Sequence, residues 1–550
     1  MARTGTCWTC RLRRKKCDQK QPACQSCSAL NIRCHYSTER PDWMDGGEKQ
    51  DEMTRCFKAQ VKQGKERQRE RDYIQVLNIG GDAKPLPVAA TADSWTFDGI
   101  PAVNAFKELD VDFTMLYVDQ VFPFLFPYYA PPMIQGGRAW VLGILRHNKT
   151  LFHAVMSLST FFFTLILSSE DVSGHQVCRQ NVWTQLEGYA NTAIKSLQNE
   201  VLAINQQGSS TLLQQSRAME SITQLMVLEM AMAKTSALSM HLGAAISLLE
   251  DILEPSKLND KIDIRRAMAE LERPSWVPLT TERPVWNTEQ AALRFFFAIL
   301  LWADIVSSTS LQTVPRLRKY YPNLICHEYG GATTEPLLRM EEYMGCEGWA
   351  LIAIAETAAL DVWKREEQAN GTLAAEDLAN RGDQLDGALQ QGLKGLDGRC
   401  REREREPRRI LQNFYLSSDA NQSAKQAAAT RIWAYASRIY LAVVTHGWQP
   451  HLPAIRESAG EVLSLLQQHE NPAILRSSVW PFCVAGCVAD ASQEKEFRDL
   501  AAGLGSLQSF GLVGESLRIL EHVWSRRGEL NLEWNLAACF SIMGSPVLLL

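Results

Sequence analysis

Six cysteines in the first 34 residues constrain this chain more than any other feature of its sequence. The first three have the spacing C-x2-C-x6-C, and adding 17 to each number gives the other three. An even spread of the chain's 14 cysteines would place about one in this stretch. The array is therefore a duplicated metal half-site, since each C-x2-C pair can place two thiolates on one ion. Its members are Cys7, Cys10, Cys17, Cys24, Cys27 and Cys34.

Ligand counting sets the number of metal ions. Six thiolates cannot saturate one tetrahedral zinc ion, and divided equally they give each of two ions only three ligands. If two sulfurs bridge the ions, four terminal and two shared ligands make eight contacts, and both ions become four-coordinate. The spacing predicts two Zn²⁺ per chain, held by all six cysteines.

Two other uses of clustered cysteines are weaker. A three-disulfide knot requires an oxidising compartment. However, Arg3 is followed by polar and charged residues and not by the apolar segment of a secretory signal. We therefore expect an intracellular, reducing compartment. An iron–sulfur cluster is typical of other cysteine spacings, without an adjacent basic run.

The net charge of −5 conceals a segregation of charge. Residues 1–40 have nine Lys or Arg against two Asp or Glu, a formal +7, so the other 510 residues have −12. Six thiolates and two Zn²⁺ leave the assembled N-terminal segment at about +5. A small basic module is joined to a large acidic body, which favours nucleic acid as a partner of the module.

Most of the positive charge lies in the run RLRRKK between the second and third cysteines. Arginine can pair with guanine O6 and N7, and the remaining cations can pair with phosphates. A short helix starting at Cys10 is expected to carry Arg14 and Lys16 toward a DNA groove. A nuclear import signal or a solvated charged face is the simpler interpretation of the same run. The predicted DNA-binding residues are Arg11, Arg13, Arg14, Lys15, Lys16 and Lys20.

The segment CWTCRLRRKKCDQKQPACQSCSALNIRC resembles the fungal zinc binuclear cluster DNA-binding domain, including Asp18 after the third cysteine and Pro22 in the spacer. The resemblance implies that the first and fourth cysteines, Cys7 and Cys24, bridge the two zinc ions. The other four cysteines are then terminal ligands. Bridging is thus indicated both by ligand counting and by the resemblance.

The same resemblance implies how DNA is read. Arg13 and Arg14 fall where the family reads bases, and the implied target is a CGG-type triplet in double-stranded DNA. Many family members have lysine where Arg14 stands, a departure that bears on base preference. The expected function is that of a nuclear, sequence-specific transcription factor that regulates RNA polymerase II genes.

The connection after the cluster predicts no strong dimerisation element. We divide the chain into a zinc module at 1–40, a charged helical connection at 41–77 and a flexible linker at 78–104. Met53, Phe57 and Val61 form an apolar stripe in the connection, but it ends after barely one heptad, whereas a coiled coil needs about three or four. A homodimer is therefore expected to form through the large domain, if one forms at all.

Residues 105–550 are predicted to form a large all-helical domain, so the predicted fold class is mostly α. Asn287 and Gln290 are predicted to cap a buried helix that includes Leu293–Ile305. Mean helix length suggests about fifteen helices. A second predicted helix has one apolar stripe, which consists of Leu242, Ala245, Ile246, Leu249, Ile252 and Leu253.

Three segments of this large domain resemble the fungal-specific transcription factor domain that accompanies such clusters. They are FTMLYVDQVFPFLFPYYAPP at 113–132, GGRAW at 136–140 and WPFCVAGC at 480–487. The apolar stretch Leu151–Leu167 is the one candidate for a membrane span. We expect it to be a buried core helix, because it is shorter than the ~20 residues that cross a bilayer.

No enzymatic motif is found, so the chain is predicted not to be an enzyme. Cys483 and Cys487 lack a nearby His or Asp that would complete a zinc set. The sequence Cys326-His327-Glu328 does not make a catalytic triad, because sequence neighbours do not converge on one substrate. The charged stretch 401–409 is expected to be solvated, with a second nucleic-acid contact as the alternative.

Two rival functions remain. One is an RNA-binding or chromatin-scaffold zinc protein, although the module has only Trp8 and Tyr36 as candidate exposed aromatics on which bases could stack. The other is an enzyme with an appended metal module. The transcription factor reading also implies co-regulators or the transcription machinery as partners, and it implies no membrane.

Overall fold

The computed structural model places the chain in two compact units, 1–88 with 201–208 and 89–200 with 209–550. In the N-terminal region it describes residues 6–13, 15–20, 24–28, 34–36, 40–41, 43–45, 47, 49–50 and 53–54. In the large domain it describes 108–131, 136–169, 176–206, 210–235, 237–254, 257–258, 261–262, 268, 270–271, 286–325, 338–405, 420–469, 473–529 and 534–550. The predicted linker 78–104 and most of the predicted connection 41–77 lie outside these residues.

Two short helices follow the two C-x2-C pairs of the N-terminal module. They are α1 (Trp8–Leu12) and α2 (Gln25–Ser28). Four buried cysteines form the centre of the module, with Leu12, Tyr36 and Met53 packed around them. The 17-residue repeat of the sequence is thus also a repeat of local structure.

The described part of the large domain contains nineteen α-helices. The first ten, in chain order, are α3 (Glu108–Leu116), α4 (Phe122–Leu125), α5 (Ala139–His147), α6 (Lys149–Ser169), α7 (Gln176–Gln206), α8 (Leu212–Ala231), α9 (Leu238–Leu253), α10 (Thr288–Leu311), α11 (Tyr321–Leu324) and α12 (Met340–Met344). The next nine are α13 (Gly348–Asn370), α14 (Ala375–Arg405), α15 (Ala420–His446), α16 (Pro453–Gln467), α17 (Ala473–Ser477), α18 (Val479–Cys487), α19 (Glu494–Ala502), α20 (Val513–Ser525) and α21 (Leu536–Phe540).

The remaining elements are short. A π-helical segment, Tyr117–Val121, joins α3 to α4, and three 3₁₀ segments cover Arg316–Tyr320, Gly505–Ser509 and Arg527–Glu529. Strand β1 (Lys257–Leu258) pairs antiparallel with β2 (Lys261–Ile262). Within the described ranges, this pair is the only departure from a purely helical domain.

The core is organised around α10. Asn287 and Gln290 form the predicted capping box, in which the Gln290 N–H donates to Asn287 Oδ1 at 2.8 Å. Nearly every side chain of α10 is buried, and the helix packs against α5, α8, α9, α12, α13 and α21. A helix apolar on all sides needs neighbours on all sides, so α10 is the central element of the large domain.

Aromatic side chains lock other helices onto this core. The Phe295 ring of α10 lies within 4.9 Å of the rings of Phe126 and Tyr129, measured between ring centroids. Farther along, Trp480 stacks on Trp433 at 5.7 Å. The Trp480 indole N–H donates to Thr309 Oγ1 at 2.9 Å. The segment 480–487 is therefore a buried helix.

The predicted fold class, mostly helical with a small cluster domain at the N-terminus, is confirmed. Fourteen helices of the large domain have nine residues or more, and five have only four or five. The estimate of about fifteen helices was too low because a mean length does not count such short helices. The six residues of the predicted apolar stripe are all buried in α9.

Two helices, not one, are long and apolar enough to cross a membrane. They cover Lys149–Ile166 and Thr288–Leu311, of which 61% and 89% are buried inside the protein. The second is the central helix α10, whose polar capping box lies outside the apolar window used to find the first candidate. Both helices pack within the large domain.

Candidate zinc centre and DNA-binding surface

The six N-terminal cysteines come together as two sets of four. One set is Cys7, Cys10, Cys17 and Cys24, and the other is Cys7, Cys24, Cys27 and Cys34; in each set the sulfurs lie within 4.8 Å of one another. Cys7 and Cys24 belong to both sets. Six sulfurs are thus arranged as two tetrads with two shared members, which is the arrangement that ligand counting required.

The sulfur–sulfur distances suit zinc. Two thiolates on one tetrahedral zinc lie about 3.8 Å apart, because each Zn–S bond is about 2.3 Å long. The Sγ atoms of Cys7 and Cys24 are 3.8 Å apart, and those of Cys10 and Cys24 are 3.5 Å apart. The sulfurs of Cys7 and Cys27 are also 3.8 Å apart. The donor set therefore fits two tetrahedral ions without rearrangement of the backbone.

The protonation of these thiols also indicates a metal. Burial raises the pKa of Cys10 to about 11 and that of Cys7 still further. Thiolates in this setting need a positive charge beside them, which a bound divalent cation supplies. Six sulfurs gathered for packing alone would have no reason to form two tetrads.

The backbone holds the sulfurs through its own N–H groups. Cys7 is the N-cap residue of α1, and its sulfur accepts from the Cys10 N–H at 3.3 Å. The Cys24 N–H donates to Cys34 Sγ at 3.4 Å. The first helix begins at Trp8 and ends at Leu12, so the prediction of a helix starting at Cys10 was wrong. The Cys7 sulfur caps the helix one turn earlier than the charge pattern suggested.

An outer layer of side chains steadies the cluster. The Tyr36 hydroxyl lies 3.5 Å from Cys17 Sγ. Burial, and then this hydrogen bond, raises the pKa of Tyr36, so the hydroxyl keeps its proton and can donate to the sulfur. Such outer partners fix the orientation of metal ligands. The sequence analysis considered Tyr36 only as an aromatic surface and missed this contact.

Two hydrogen bonds tie the halves of the module to each other. The backbone N–H of Gln25, the first residue of α2, donates to Asp18 Oδ1 at 2.8 Å. The Ser26 hydroxyl donates to the Lys16 carbonyl oxygen at 2.9 Å. The basic segment that precedes the third cysteine is thereby held against the start of the second half. The Asp18 of the motif acts here as a cap.

The basic run borders the cluster. Arg11, Lys15, Lys16 and Lys20 are exposed, and Arg13 is half-buried. The Arg11 guanidinium lies over the Trp8 ring, 5.0 Å from its centroid. Among the described residues, no acidic group forms an ion pair with these cations, so their charge faces outward. Arg14 lies outside the described residues.

The other chemistry-bearing candidates of the large domain do not form a site. Cys483 and Cys487 are fully buried in α18, and burial raises the pKa of Cys487, as expected of packing residues. Cys326, His327 and Glu328 lie outside the described residues. The charged stretch 401–409 is helical as far as Arg405, where α14 ends.

Comparison with known proteins identifies both parts of the chain. The fungal Zn(2)-Cys(6) binuclear cluster domain matches residues 5–43, and the fungal-specific transcription factor domain matches residues 113–549. Transcription factor dibT of Pestalotiopsis microspora is 33% identical, over 99% of this chain and 98% of its own length.

Other relatives cover most of the chain at lower identity. Pestheic acid cluster transcriptional regulator 3 of Pestalotiopsis fici is 26% identical, over 95% of this chain and 94% of its own length. The ustiloxin B cluster transcription factor ustR of Aspergillus flavus is 26% identical, over 90% of this chain and 89% of its own length. No solved structure matches.

The predicted cofactor, two zinc ions per chain, is confirmed by the binuclear cluster domain and by the thiol tetrads. The match to the large domain and to named relatives confirms the predicted class of function. The chain belongs to the fungal Zn(2)-Cys(6) binuclear cluster transcription factors, which are DNA-binding regulators of transcription.

Proposed function

We propose that Cys7 and Cys24 bridge the two zinc ions of this regulator. Cys10 and Cys17 complete the coordination of one ion, and Cys27 and Cys34 that of the other. The observation that carries this assignment is the sharing of Cys7 and Cys24 by the two thiol tetrads. The zinc ions hold two otherwise separate half-modules together and thereby set the position of the basic run.

We further propose that this run reads double-stranded DNA at a CGG-type triplet. Arg13 and Arg14 are assigned to guanine edges, where a bidentate contact contributes about 1–3 kcal/mol of discrimination. The exposed cations Arg11, Lys15, Lys16 and Lys20 are assigned to phosphates. The stacking of Arg11 on Trp8 supports this assignment, because an ordered guanidinium loses less conformational entropy on binding.

The names of several relatives suggest which genes are regulated. Pestheic acid cluster transcriptional regulator 3 and the ustiloxin B cluster factor are named for biosynthetic clusters, and two further relatives are named as trichothecene biosynthesis regulators. We infer that this chain acts in the nucleus on genes of a biosynthetic cluster. It would do so together with co-regulators or the transcription machinery.

We retain the division of the chain into 1–40, 41–77, 78–104 and 105–550 as a proposal, with dimerisation assigned to the last segment. The short apolar stripe that ends at Val61 supports this choice, because a stable coiled coil needs more heptads. Sedimentation of the full-length protein at micromolar concentration tests it. A monomer would remove the large domain as a dimer interface.

Selection of bound sites from random DNA by the full-length zinc-loaded protein tests the DNA proposal. We expect an enriched CGG-type triplet, and a preference for duplex DNA over RNA. Arg13→Ala should then weaken binding to the selected site by about 1–3 kcal/mol and relax one base position. Lys20→Ala should weaken all sequences alike and lower the salt slope by about one unit.

Lys495→Ala, a change on the surface of the large domain, is the matched control and should leave both the site and the salt slope unchanged. Equal losses for Arg13→Ala on selected and scrambled DNA would contradict the base-reading role. Equal affinity for RNA and duplex DNA would favour the rival RNA-binding function.

A further inference from the structure

A small cavity lies inside the large domain, where three distant segments meet. Its volume is about 30 Å³. The wall is largely apolar and aromatic, and it includes Leu125, Tyr128, Met230, Ile299, Trp302 and Met344. Arg476, from the short helix α17, also lines it. A cationic side chain in an aromatic cavity of a regulatory domain requires an explanation.

Arg476 has few partners. Its Nη1 donates to the Leu125 carbonyl oxygen at 3.1 Å, whereas its Nε is shielded from solvent and has no hydrogen-bond partner. Among the described residues, no acidic side chain lines the cavity or forms an ion pair with Arg476. Burial lowers the pKa of Arg476 to about 10, so the guanidinium remains protonated at neutral pH.

A second donor without a partner belongs to the same wall. Trp302 Nε1, from the central helix α10, is buried and has no acceptor among the described residues. Arginine and the indole group can only donate hydrogen bonds. The remaining polar side chain of this wall outside Tyr128 is Ser477, whose hydroxyl donates to the Ile474 carbonyl oxygen at 2.8 Å. The wall therefore offers a fixed positive charge and spare donors, with a deficit of acceptors.

We propose that this cavity binds the carboxylate of a small organic acid. A carboxylate supplies two acceptor oxygens and a negative charge, and it pairs with a guanidinium in a fork geometry. The volume limits the size of the acid, since one water-sized sphere takes about 10–15 Å³ by the same kind of measure. A one- or two-carbon acid fits the space, and an aromatic acid does not.

The site couples α4, α10 and α17, because Leu125, Trp302 and Arg476 belong to one wall. Anything that binds the folded state alone stabilises it. A bound carboxylate would therefore tighten the packing of α17 and α4 against the central helix. The ligand would act on the stability of the large domain and not on the zinc module.

Thermal unfolding of the full-length protein in sodium acetate, against sodium chloride at equal ionic strength, tests the proposal. We expect a saturable rise of the melting temperature in acetate, half-maximal in the millimolar range for so small a ligand. Formate should act similarly, and benzoate should not. Equal responses to acetate and chloride would show that two ordered waters suffice to fill the cavity, and would overturn the proposal.

Variants locate the effect. Arg476→Gln should abolish the acetate response, whereas Arg456→Gln, which removes an exposed arginine paired with Asp490 at 2.9 Å, should retain it. If Arg476→Gln does not fold, Trp302→Phe keeps the ring and removes only the N–H donor. That variant should raise the half-maximal acetate concentration about tenfold. An unchanged acetate response in either Arg476→Gln or Trp302→Phe would overturn the assignment.

Discussion

Serine substitutions of single cysteines distinguish a shared cluster from two independent zinc sites. Cys7 belongs to both thiol tetrads and Cys10 to one. Replacing Cys10 therefore removes one of eight zinc–sulfur contacts, whereas replacing Cys7 removes two, one from each ion. We expect Cys7→Ser to weaken both zinc ions and Cys10→Ser to weaken mainly one.

The magnitude follows from the ligand count. A structural zinc site contributes about 10–16 kcal/mol, so each of its four thiolates accounts for about 3–4 kcal/mol. Loss of one contact should then weaken an ion by about 10²–10³-fold, since 1.4 kcal/mol is a factor of ten. Cys10→Ser should show this loss at one ion, and Cys7→Ser at both. Cys24→Ser and Cys27→Ser should repeat the pattern in the second half.

Release of zinc from the full-length protein into increasing concentrations of a chromogenic chelator measures the effect. Cys346→Ser is the matched control, because Cys346 is a buried thiol of the large domain that belongs to neither tetrad. Wild type and this control should release two zinc ions per chain along the same curve. Identical release curves for Cys7→Ser and Cys10→Ser would refute the sharing of Cys7.

Three further predictions concern the supports of the fold. Tyr36→Phe removes the hydroxyl beside Cys17 and should lower zinc affinity about tenfold in the same chelator assay, whereas Tyr435→Phe in the large domain should not. Gly345→Ala should lower the free energy of unfolding by about 2–4 kcal/mol in urea, because its φ is +77° and an added Cβ would lie 2.5 Å from the Tyr128 ring. Gly371→Ala, with φ +71° and nothing within 4 Å, should cost only about 1 kcal/mol. Burial, and then the Glu289 carboxylate, holds the pKa of Glu220 well above its usual value. The folded chain therefore binds a proton that the unfolded chain has lost above about pH 4.3, and stability falls as pH rises through this window. Glu220→Gln should raise the melting temperature at pH 8 and flatten its decline from pH 5 to pH 8, whereas an unchanged slope, as expected for exposed Glu457→Gln, would contradict this.

The parts of the structure that the sequence predicted well are those with local causes. Zinc stoichiometry follows from cysteine spacing, since each C-x2-C pair is confined to one turn by the covalent chain. The capping box of α10 involves Asn287 and Gln290, three residues apart. The buried face of α9 follows from a helical period. Each of these patterns can be read without knowing where the rest of the chain lies.

The contacts that the sequence did not predict join residues that are separated along the chain. The Tyr36 hydroxyl reaches Cys17 across 19 residues, and no sequence period relates them. Asp18 caps a helix that starts seven residues later, beyond an irregular spacer. The start of α1 was misplaced because a sulfur takes the capping role that serine or aspartate usually has. Charge and apolar patterns contain no signal for such a cap.

Arginines in the two parts of the chain show why the zinc module was easier to interpret than the large domain. In the module, RLRRKK is informative through density alone, since adjacent cations must face solvent or an anion. Arg476 stands between Leu475 and Ser477 in a sequence that looks like ordinary helix. Its partner carbonyl, on Leu125, is 351 residues away. What makes Arg476 unusual is the lack of an acid around it, and that depends on which segments α4, α10 and α17 bring to one cavity. A site defined by a missing partner can therefore be recognised only once the packing is known.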